Sequence, residues 1–174
     1  LNELRNKSYH CAVAHGWHEE NLSDEHFLCL VISELMEAVE ADRKRMHANK
    51  KQFESYMNLK ERSDDEFIYA FKHDIKDSVE DEVADACIRL LDLAGLRGAN
   101  LNSFDYERSD TEDTEAMFRI CVYVTDNFYR DETFILLNEI FAFCQDRNID
   151  ILWHIEQKMM YNELRPYKHG NKSY

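Results

Sequence analysis

Glycine and proline, the residues that interrupt helices most strongly, are scarce in this sequence. The chain has four Gly and one Pro in 174 residues. Because Gly costs about 1 kcal/mol and Pro about 3 kcal/mol in a helix interior, their scarcity favours long helices. The length fits one domain with a sizeable core. We therefore predict an all-α protein in which residues 1–174 form a single domain.

Positive charge is also in short supply. The chain carries 35 acidic residues against 21 Lys and Arg, which gives a net charge of −14. Binding to a nucleic-acid backbone needs clustered positive charge, so no direct nucleic-acid binding is expected. Binding of small phosphate compounds is still compatible with this charge, because a divalent metal can bridge phosphates and carboxylates.

Cys-x-x-Cys pairs and long apolar runs are absent. The five cysteines are an odd number and lie in helical, partly apolar contexts, so we interpret them as reduced core residues. No apolar run approaches the ~20 residues that span a bilayer. Residues 1–5 lack the apolar region of a secretion signal. These absences predict a cytoplasmic protein with no membrane partner.

Two acidic stretches in helical contexts are the main feature that is present. Each contains two carboxylates three residues apart, a spacing that places both on one face of a helix. The pairs are Glu34 with Glu37 and Glu82 with Asp85. Apolar residues surround both pairs, so the carboxylates lose hydration and need a counter-charge. Two such helices packed face to face would present oxygen ligands suited to Mg²⁺ or Mn²⁺. The alternative is that these are solvated acids beside a core stripe.

The elements are predicted in the following order. Helices cover 1–16, from Ser23 to about Met46, and 74–97. Residues 49–75 contain a short helix or a mobile connection and then a helix from about Ser63 or Asp64. A polar loop covers 102–110, and Ser109 or Thr111 caps the next helix, which carries Met117 and Ile120. Arg130 and Asp131 form a turn before a helix over 132–147. The last helix runs to about Leu164 and ends at Arg165-Pro166.

The C-terminal stretch 158–174 is locally basic. Lys158, Asn162 and Arg165 recur at i, i+4 and i+7 and therefore share one helix face; Lys168 and Lys172 follow. Such a row can hold phosphate oxygens and a sugar or base edge. The alternative is that the charges complement the helix C-terminus and the tail is frayed.

Two further patterns precede the first acidic helix. Cys11, His15 and His18 have helical spacing that resembles one corner of a zinc site, but no second ligand cluster completes it. Trp17 either covers the core or offers a flat surface for a base, and the core is the default.

The ordered set of motifs resembles the MazG-like, all-α nucleoside triphosphate pyrophosphohydrolases. Their signature is Glu-x-x-Glu on one helix and Glu-x-x-Asp on the next, here within Ser33–Glu40 and Glu80–Ala86. The end of the chain, Lys-Met-Met-Tyr-Asn-Glu-Leu-Arg-Pro-Tyr-Lys-His-Gly-Asn-Lys, is similar to the end of many members, with the last Lys shifted by one. The gap between the acidic motifs is longer than usual in the family, and residues 100–150 match no motif.

The resemblance implies a fold and an activity. The fold is a helical bundle with a four-helix core that assembles as a homodimer or homotetramer. The activity is the Mg²⁺-dependent hydrolysis of a nucleoside triphosphate to the monophosphate and pyrophosphate, with Mn²⁺ as a possible substitute. The implied metal ligands are Glu34, Glu37, Glu82 and Asp85, with Glu37 or Glu82 as the base. The implied substrate contacts are Lys158, Asn162, Arg165 and Lys168, with Trp17, Trp153 or Tyr161 stacking on the base.

Two other functions fit a helical, acidic chain. A di-iron or di-manganese carboxylate bundle needs Glu-x-x-His on two helices, and none of the eight histidines has Glu three residues before it. A non-catalytic helical module of the same fold would bind a nucleotide or a protein and use its acids for solubility. It predicts no stabilisation by Mg²⁺ plus nucleotide.

Overall fold

The structure, a computed structural model, describes residues 1–59, 62–101, 113–126 and 133–171, and the regular structure in these residues is all helical. The helices are α1 (Asn2–Ala14), α2 (Asp24–Arg43), α3 (Lys50–Met57), α4 (Asp64–Asp74), α5 (Val79–Leu96), α6 (Asp113–Asp126), α7 (Thr133–Asp146), α8 (Ile151–Glu163) and the short α9 (Lys168–Asn171). The prediction of an all-α protein is confirmed. In the same ranges, no helix combines the length and the apolar character that crossing a membrane requires.

Side chains that precede the helices fix where they begin. Ser78 Oγ accepts a hydrogen bond from the Asp81 backbone N–H at 3.2 Å and starts α5. Ser63 and Glu66 form a reciprocal capping box at the start of α4, which confirms the predicted start. The first turn of α5 is acidic, and the positive end of a helix dipole stabilises carboxylates there.

Two predicted helix boundaries are wrong. The second acidic helix begins at Val79 rather than at residue 74, and α2 ends at Arg43 rather than at Met46. Asp77 has a φ of 62° and Arg45 a φ of 57°, and a right-handed helix cannot continue through such residues. The predicted loop 102–110, the cap at Ser109 or Thr111, the turn at Arg130 and Asp131, and Lys172 lie outside the described residues.

Helix α5 is central to the main hydrophobic core. It packs against α2, α1, α8 and α7, and each fully buried Leu or Val that it contributes is worth about 1.5–3 kcal/mol of burial free energy. Its fully buried Leu and Val side chains are Val83, Leu90, Leu91 and Leu93. The other side of the helix carries the acids, so the core fixes the position of the carboxylates.

A second hydrophobic cluster joins α3, α4 and α8. It contains Phe53, Phe67, Phe71, Ile75 and Tyr161. The ring of Tyr161 is stacked on that of Phe71, with centroids 4.5 Å apart. This cluster attaches the helices between the two acidic motifs to the last long helix.

The segment after α8 docks on the loop that follows α1. The Lys168 backbone N–H donates to the His15 carbonyl at 3.1 Å, and the Tyr167 hydroxyl contacts Glu19. Gly16 has a φ of +80°, and a Cβ built there would lie 2.5 Å from the Tyr167 ring. Glycine therefore permits both the turn and the close approach of the C-terminal segment.

We expect Gly16→Ala to destabilise the protein by about 2 kcal/mol, because a left-handed Ala costs roughly 1–2 kcal/mol and Tyr167 must also move away from Glu19. Gly98→Ala is the matched control. Gly98 also has a positive φ, of +64°, but nothing lies within 4 Å of a Cβ built there, so only the backbone cost applies. Chemical denaturation of the two variants measures the difference, and equal losses would contradict the docking contact.

Candidate functional site

Helices α2 and α5 run antiparallel along one cavity. Ion pairs along these helices and the residues just after them follow opposite chain directions: Asp24 with Arg97, Glu34 with Arg89, and His47 with Glu80. The facing sides of both helices line a cavity of about 210 Å³. The residues that α2 and α5 contribute are His26, Phe27, Leu30, Glu34, Glu37, Glu82, Asp85, Ile88, Arg89 and Asp92. All recur at helical spacing, so one face of each helix forms the wall.

Three of the four predicted metal ligands meet in this cavity. Each of Glu34, Glu37 and Glu82 offers a carboxylate oxygen, and these oxygens lie within 4.8 Å of one another. Glu34 and Glu82 are buried, at 8% and 6% exposure, whereas Glu37 is exposed. The arrangement leaves one side of the cluster open to solvent. We call these three residues the carboxylate cluster.

The fourth predicted ligand, Asp85, belongs instead to a buried ion-pair network. Lys158 Nζ lies 2.7 Å from Asp85 Oδ2 and 2.8 Å from Asp81 Oδ2. Lys158 is 4% exposed and Asp81 is 1% exposed. The network fixes the first two turns of α5 against α8, beside the carboxylate cluster.

Burial raises the pKa of two carboxyl groups of the carboxylate cluster, Glu34 and Glu82. The pKa of Glu82 rises to about 8, mainly through burial, with Asp81, Asp85 and Glu37 adding to the rise and Lys158 opposing it. The pKa of Glu34 rises to about 7, again through burial and then the charge of Asp85, while Arg89 opposes it. The cluster is therefore short of positive charge, a condition that a bound cation relieves.

These raised pKa values predict a stability that depends on pH and on Mg²⁺. A carboxyl whose pKa is higher in the folded protein binds its proton more tightly there, so stability falls as the pH rises toward that pKa. His154, whose pKa is lowered to about 4, has the opposite effect, but only below its ordinary value of 6.5. Between pH 6.5 and 8 the carboxyls dominate, and without metal the free energy of unfolding should fall by about 1 kcal/mol after allowance for solvent screening.

Thermal or urea unfolding in EDTA across this range measures the effect. Mg²⁺ should flatten the profile because it competes with protons for the same oxygens. Glu82→Gln is the control, since it removes the carboxyl whose pKa is raised most clearly, and its metal-free profile should be shallower. A wild-type profile that rises over the same range would contradict the crowding of the carboxylates.

The predicted phosphate-binding residues are not equivalent in the structure. Asn162, Arg165 and Lys168 line the cavity together with Lys158. Lys168 Nζ lies 3.3 Å from Glu19 on the cavity rim, whereas the ammonium of Lys158 is already held by two carboxylates. Arg165 and Lys168 are thus the cations of this set that lie nearest to open solvent.

One predicted base-stacking residue lines the cavity and two do not. Trp17 lines it and meets His169 edge to face, with centroids 5.1 Å apart. Tyr161 is 5% exposed and packs on Phe71, so its ring does not reach the cavity in this structure. The reason is that Tyr161 projects from α8 toward α4 rather than toward α5. Trp153 packs on Phe53.

The suggested zinc corner does not form. Cys11 Sγ lies 3.6 Å from His15 Nδ1, but His18 turns away and its Nε2 lies 2.8 Å from Asp92 Oδ1. In the described ranges, the groups of three residues that could hold a metal are the carboxylate cluster and an overlapping group of Asp77, Asp81 and Glu82. Only oxygen ligands converge at this site.

Several residues of the cavity were not identified from the sequence. Arg89 donates from Nε and Nη2 to Glu34 Oε1 at 3.1 and 3.0 Å. Asp92 and His18 form a pair in which each side chain is 10% exposed. Arg89 and Asp92 continue the helical face that starts with Glu82 and Asp85, so extending the i, i+3, i+7 spacing along α5 could have found them.

Comparison with known proteins gives no relative for this chain. No family model matches the sequence. No curated protein matches it. No solved structure matches the fold.

Proposed function

We propose that the protein is a Mg²⁺-dependent nucleoside triphosphate pyrophosphohydrolase. The observation that supports this most directly is the carboxylate cluster, in which Glu34, Glu37 and Glu82 from two helices converge within 4.8 Å on one wall of a cavity. Cationic side chains line the same cavity from the C-terminal segment. A carboxylate cluster that can bind a metal, with cationic side chains beside it, suits a phosphate compound that binds through that metal.

The residues present fit a magnesium ion. The cluster consists of carboxylates alone, the ligand type that Mg²⁺ and Mn²⁺ prefer. Two of the three are buried with pKa values raised toward or above neutrality, so the folded chain does not supply enough positive charge by itself. Mg²⁺ keeps several waters when it binds, and exposed Glu37 marks the side on which waters and a substrate would have access.

The side chains divide into three roles. Glu34, Glu37 and Glu82 would hold the metal, which supplies charge neutralisation and an activated water when bound. Glu37 or Glu82 would accept the proton of the attacking water, as a carboxylate not fully used in ligation can do. Arg165 and Lys168 would bind phosphate oxygens, and Lys158 would act indirectly by holding Asp85 and Asp81 in place.

Asn162 adds a neutral contact to this set. It lines the cavity, and its buried Oδ1 has no hydrogen-bond partner among the described residues. A buried acceptor without a donor costs free energy, and a sugar hydroxyl would supply that donor. This assigns Asn162 to the sugar, between the phosphates and the base.

We extend the proposal to the core and the assembly. Helix α5 packs against α1, α2 and α8, and we propose these four as the four-helix core of the pyrophosphohydrolase type. Phe118 and Val122 on α6 are exposed, and we propose that they are buried in a homodimer or homotetramer in the cytoplasm. Sedimentation velocity distinguishes these assemblies from a monomer.

The experiment that tests the function is a panel of ribo- and deoxyribonucleoside triphosphates with Mg²⁺. The expected products are the monophosphate and pyrophosphate, detected separately. Orthophosphate as the only inorganic product would contradict the proposal. A chain that neither turns over nucleotide nor gains thermal stability from Mg²⁺ plus nucleotide would be the non-catalytic module.

A further inference from the structure

The cavity changes character along its length. Glu82 and Asp92 lie ten residues apart on α5, which corresponds to a rise of about 15 Å. On the Asp92 side the cavity is lined by apolar or aromatic residues from α2, α5 and the loop between α1 and α2, together with the polar side chains of His26 and Arg89. The apolar and aromatic residues are Trp17, Leu22, Phe27, Leu30 and Ile88. A flat, partly apolar group fits this end, while the carboxylate cluster marks the other end.

Asp92 is the carboxylate at the apolar end. It is 7% exposed and lines the cavity. His18 Nε2 contacts Asp92 Oδ1 at 2.8 Å, and this is the one protein hydrogen bond that Asp92 makes within the described part of the chain. A carboxylate has room for about four donors, so Oδ2 is left to accept a hydrogen bond from a ligand.

The histidine partner is held rigidly. The His18 ring lies 5.2 Å from the Tyr9 ring and 5.7 Å from the Phe27 ring, measured between centroids. These rings pack on His18 while its Nε2 contacts Oδ1, which leaves Oδ2 as the oxygen for a ligand. Burial raises the pKa of Asp92 while His18 opposes the rise, which is consistent with a carboxylate that lacks a second donor.

We propose that this end of the cavity holds the nucleobase and that Asp92 selects bases with an exocyclic amino group. The amino group would donate to Asp92 Oδ2, with Trp17 and Phe27 beside the ring. A base with a carbonyl in that place would set an oxygen against the carboxylate and is rejected, because a buried acceptor is left unpaired. The inference rests on the proposed function, since it takes the substrate to be a nucleoside triphosphate.

The test compares matched pairs of substrates. The bases of dCTP and dUTP, and of dATP and dITP, have the same ring system but exchange an amino group for a carbonyl. Wild-type kcat/KM should be about tenfold or more higher for the amino member of each pair. Asp92→Asn, whose amide can also donate, should reduce this ratio to near one, mainly by improving the carbonyl substrates. Asp65→Asn is the matched control, because Asp65 is exposed on α4. It should leave the ratio unchanged.

The outcomes separate this inference from the proposed function. Equal kcat/KM within both pairs for the wild type, with pyrophosphate released from all, would overturn the role of Asp92 and leave the function standing. No pyrophosphate from any nucleotide would overturn the function. In that case calorimetry with dCMP and dUMP decides the inference: preference for dCMP supports a base site at Asp92, and equal or absent binding overturns it. Neither wild-type measurement depends on Asp92→Asn folding.

Discussion

Replacing Glu82 with glutamine is expected to remove the Mg²⁺-dependent release of pyrophosphate. Glu82 is the member of the carboxylate cluster that α5 supplies, and it also faces Asp77 and Asp81. An amide keeps the shape but removes the charge that binds the cation. Replacing a residue that only contacts a metal ligand typically reduces metal affinity or activity about 10–100-fold. Because Glu82 is itself a proposed ligand, we expect a loss of about 100-fold or more in kcat/KM. Stabilisation by Mg²⁺ in a thermal melt should disappear in parallel.

Glu40→Gln provides the control for the loss of a carboxylate on these two helices. Glu40 lies on α2 but pairs with Arg43 and Lys44 on the surface, at 2.8 and 3.3 Å. Its substitution should leave both the activity and the Mg²⁺ effect close to those of the wild type. Full activity in Glu82→Gln, or an equal loss in both variants, would count against the carboxylate cluster as the metal site.

Replacing Lys158 with methionine should have the largest effect on stability. Lys158 is buried and joins Asp81 and Asp85 through contacts of 2.8 and 2.7 Å. Removing one partner of a buried ion pair leaves an uncompensated charge and typically costs 3–5 kcal/mol, so we expect about 4 kcal/mol here. For a chain of this length the melting temperature should fall by about 10 °C.

A second substitution identifies the cause of that loss. Lys158→Met combined with Asp81→Asn removes one of the two buried charges that Lys158 neutralises, so part of the stability should return. Lys7→Met is the exposed control. Its pair with Glu3, at 3.8 Å, is largely solvated, and its loss should cost less than about 1 kcal/mol. A double variant no more stable than Lys158→Met would show that packing, rather than unpaired charge, causes the loss.

Local periodicity was enough to predict the helices and the convergence of the carboxylate cluster. The spacing of Glu34 and Glu37, and the helical context of Glu82, determine the faces on which these side chains lie. Because apolar residues on the same two helices bury against each other, the acids beside them converge. Local periodicity does not reveal the residue that neutralises Asp85, Lys158. It comes from α8, 73 residues later in the chain, and its register against α5 depends on tertiary packing.

The same limit explains why the position of Tyr161 away from the cavity and the pair at Asp92 were not predicted from the sequence. Tyr161 follows Lys158 by three residues, and spacing alone assigns them to neighbouring positions on α8. In the structure α8 lies between two cores, so Lys158 faces α5 while Tyr161 faces α4. The partner of Asp92 is His18, in the loop after α1. Loop side chains have no periodicity from which their direction can be predicted.

The most direct measurement is the position of a bound divalent cation. A crystal grown or soaked with Mn²⁺, which has an anomalous X-ray signal, locates the ion without reference to activity. The account predicts a peak bound by carboxylate oxygens of Glu34, Glu37 and Glu82, and loss of that peak in Glu82→Gln. A peak elsewhere, or a wild-type crystal whose carboxylate cluster stays empty at millimolar Mn²⁺, would contradict it.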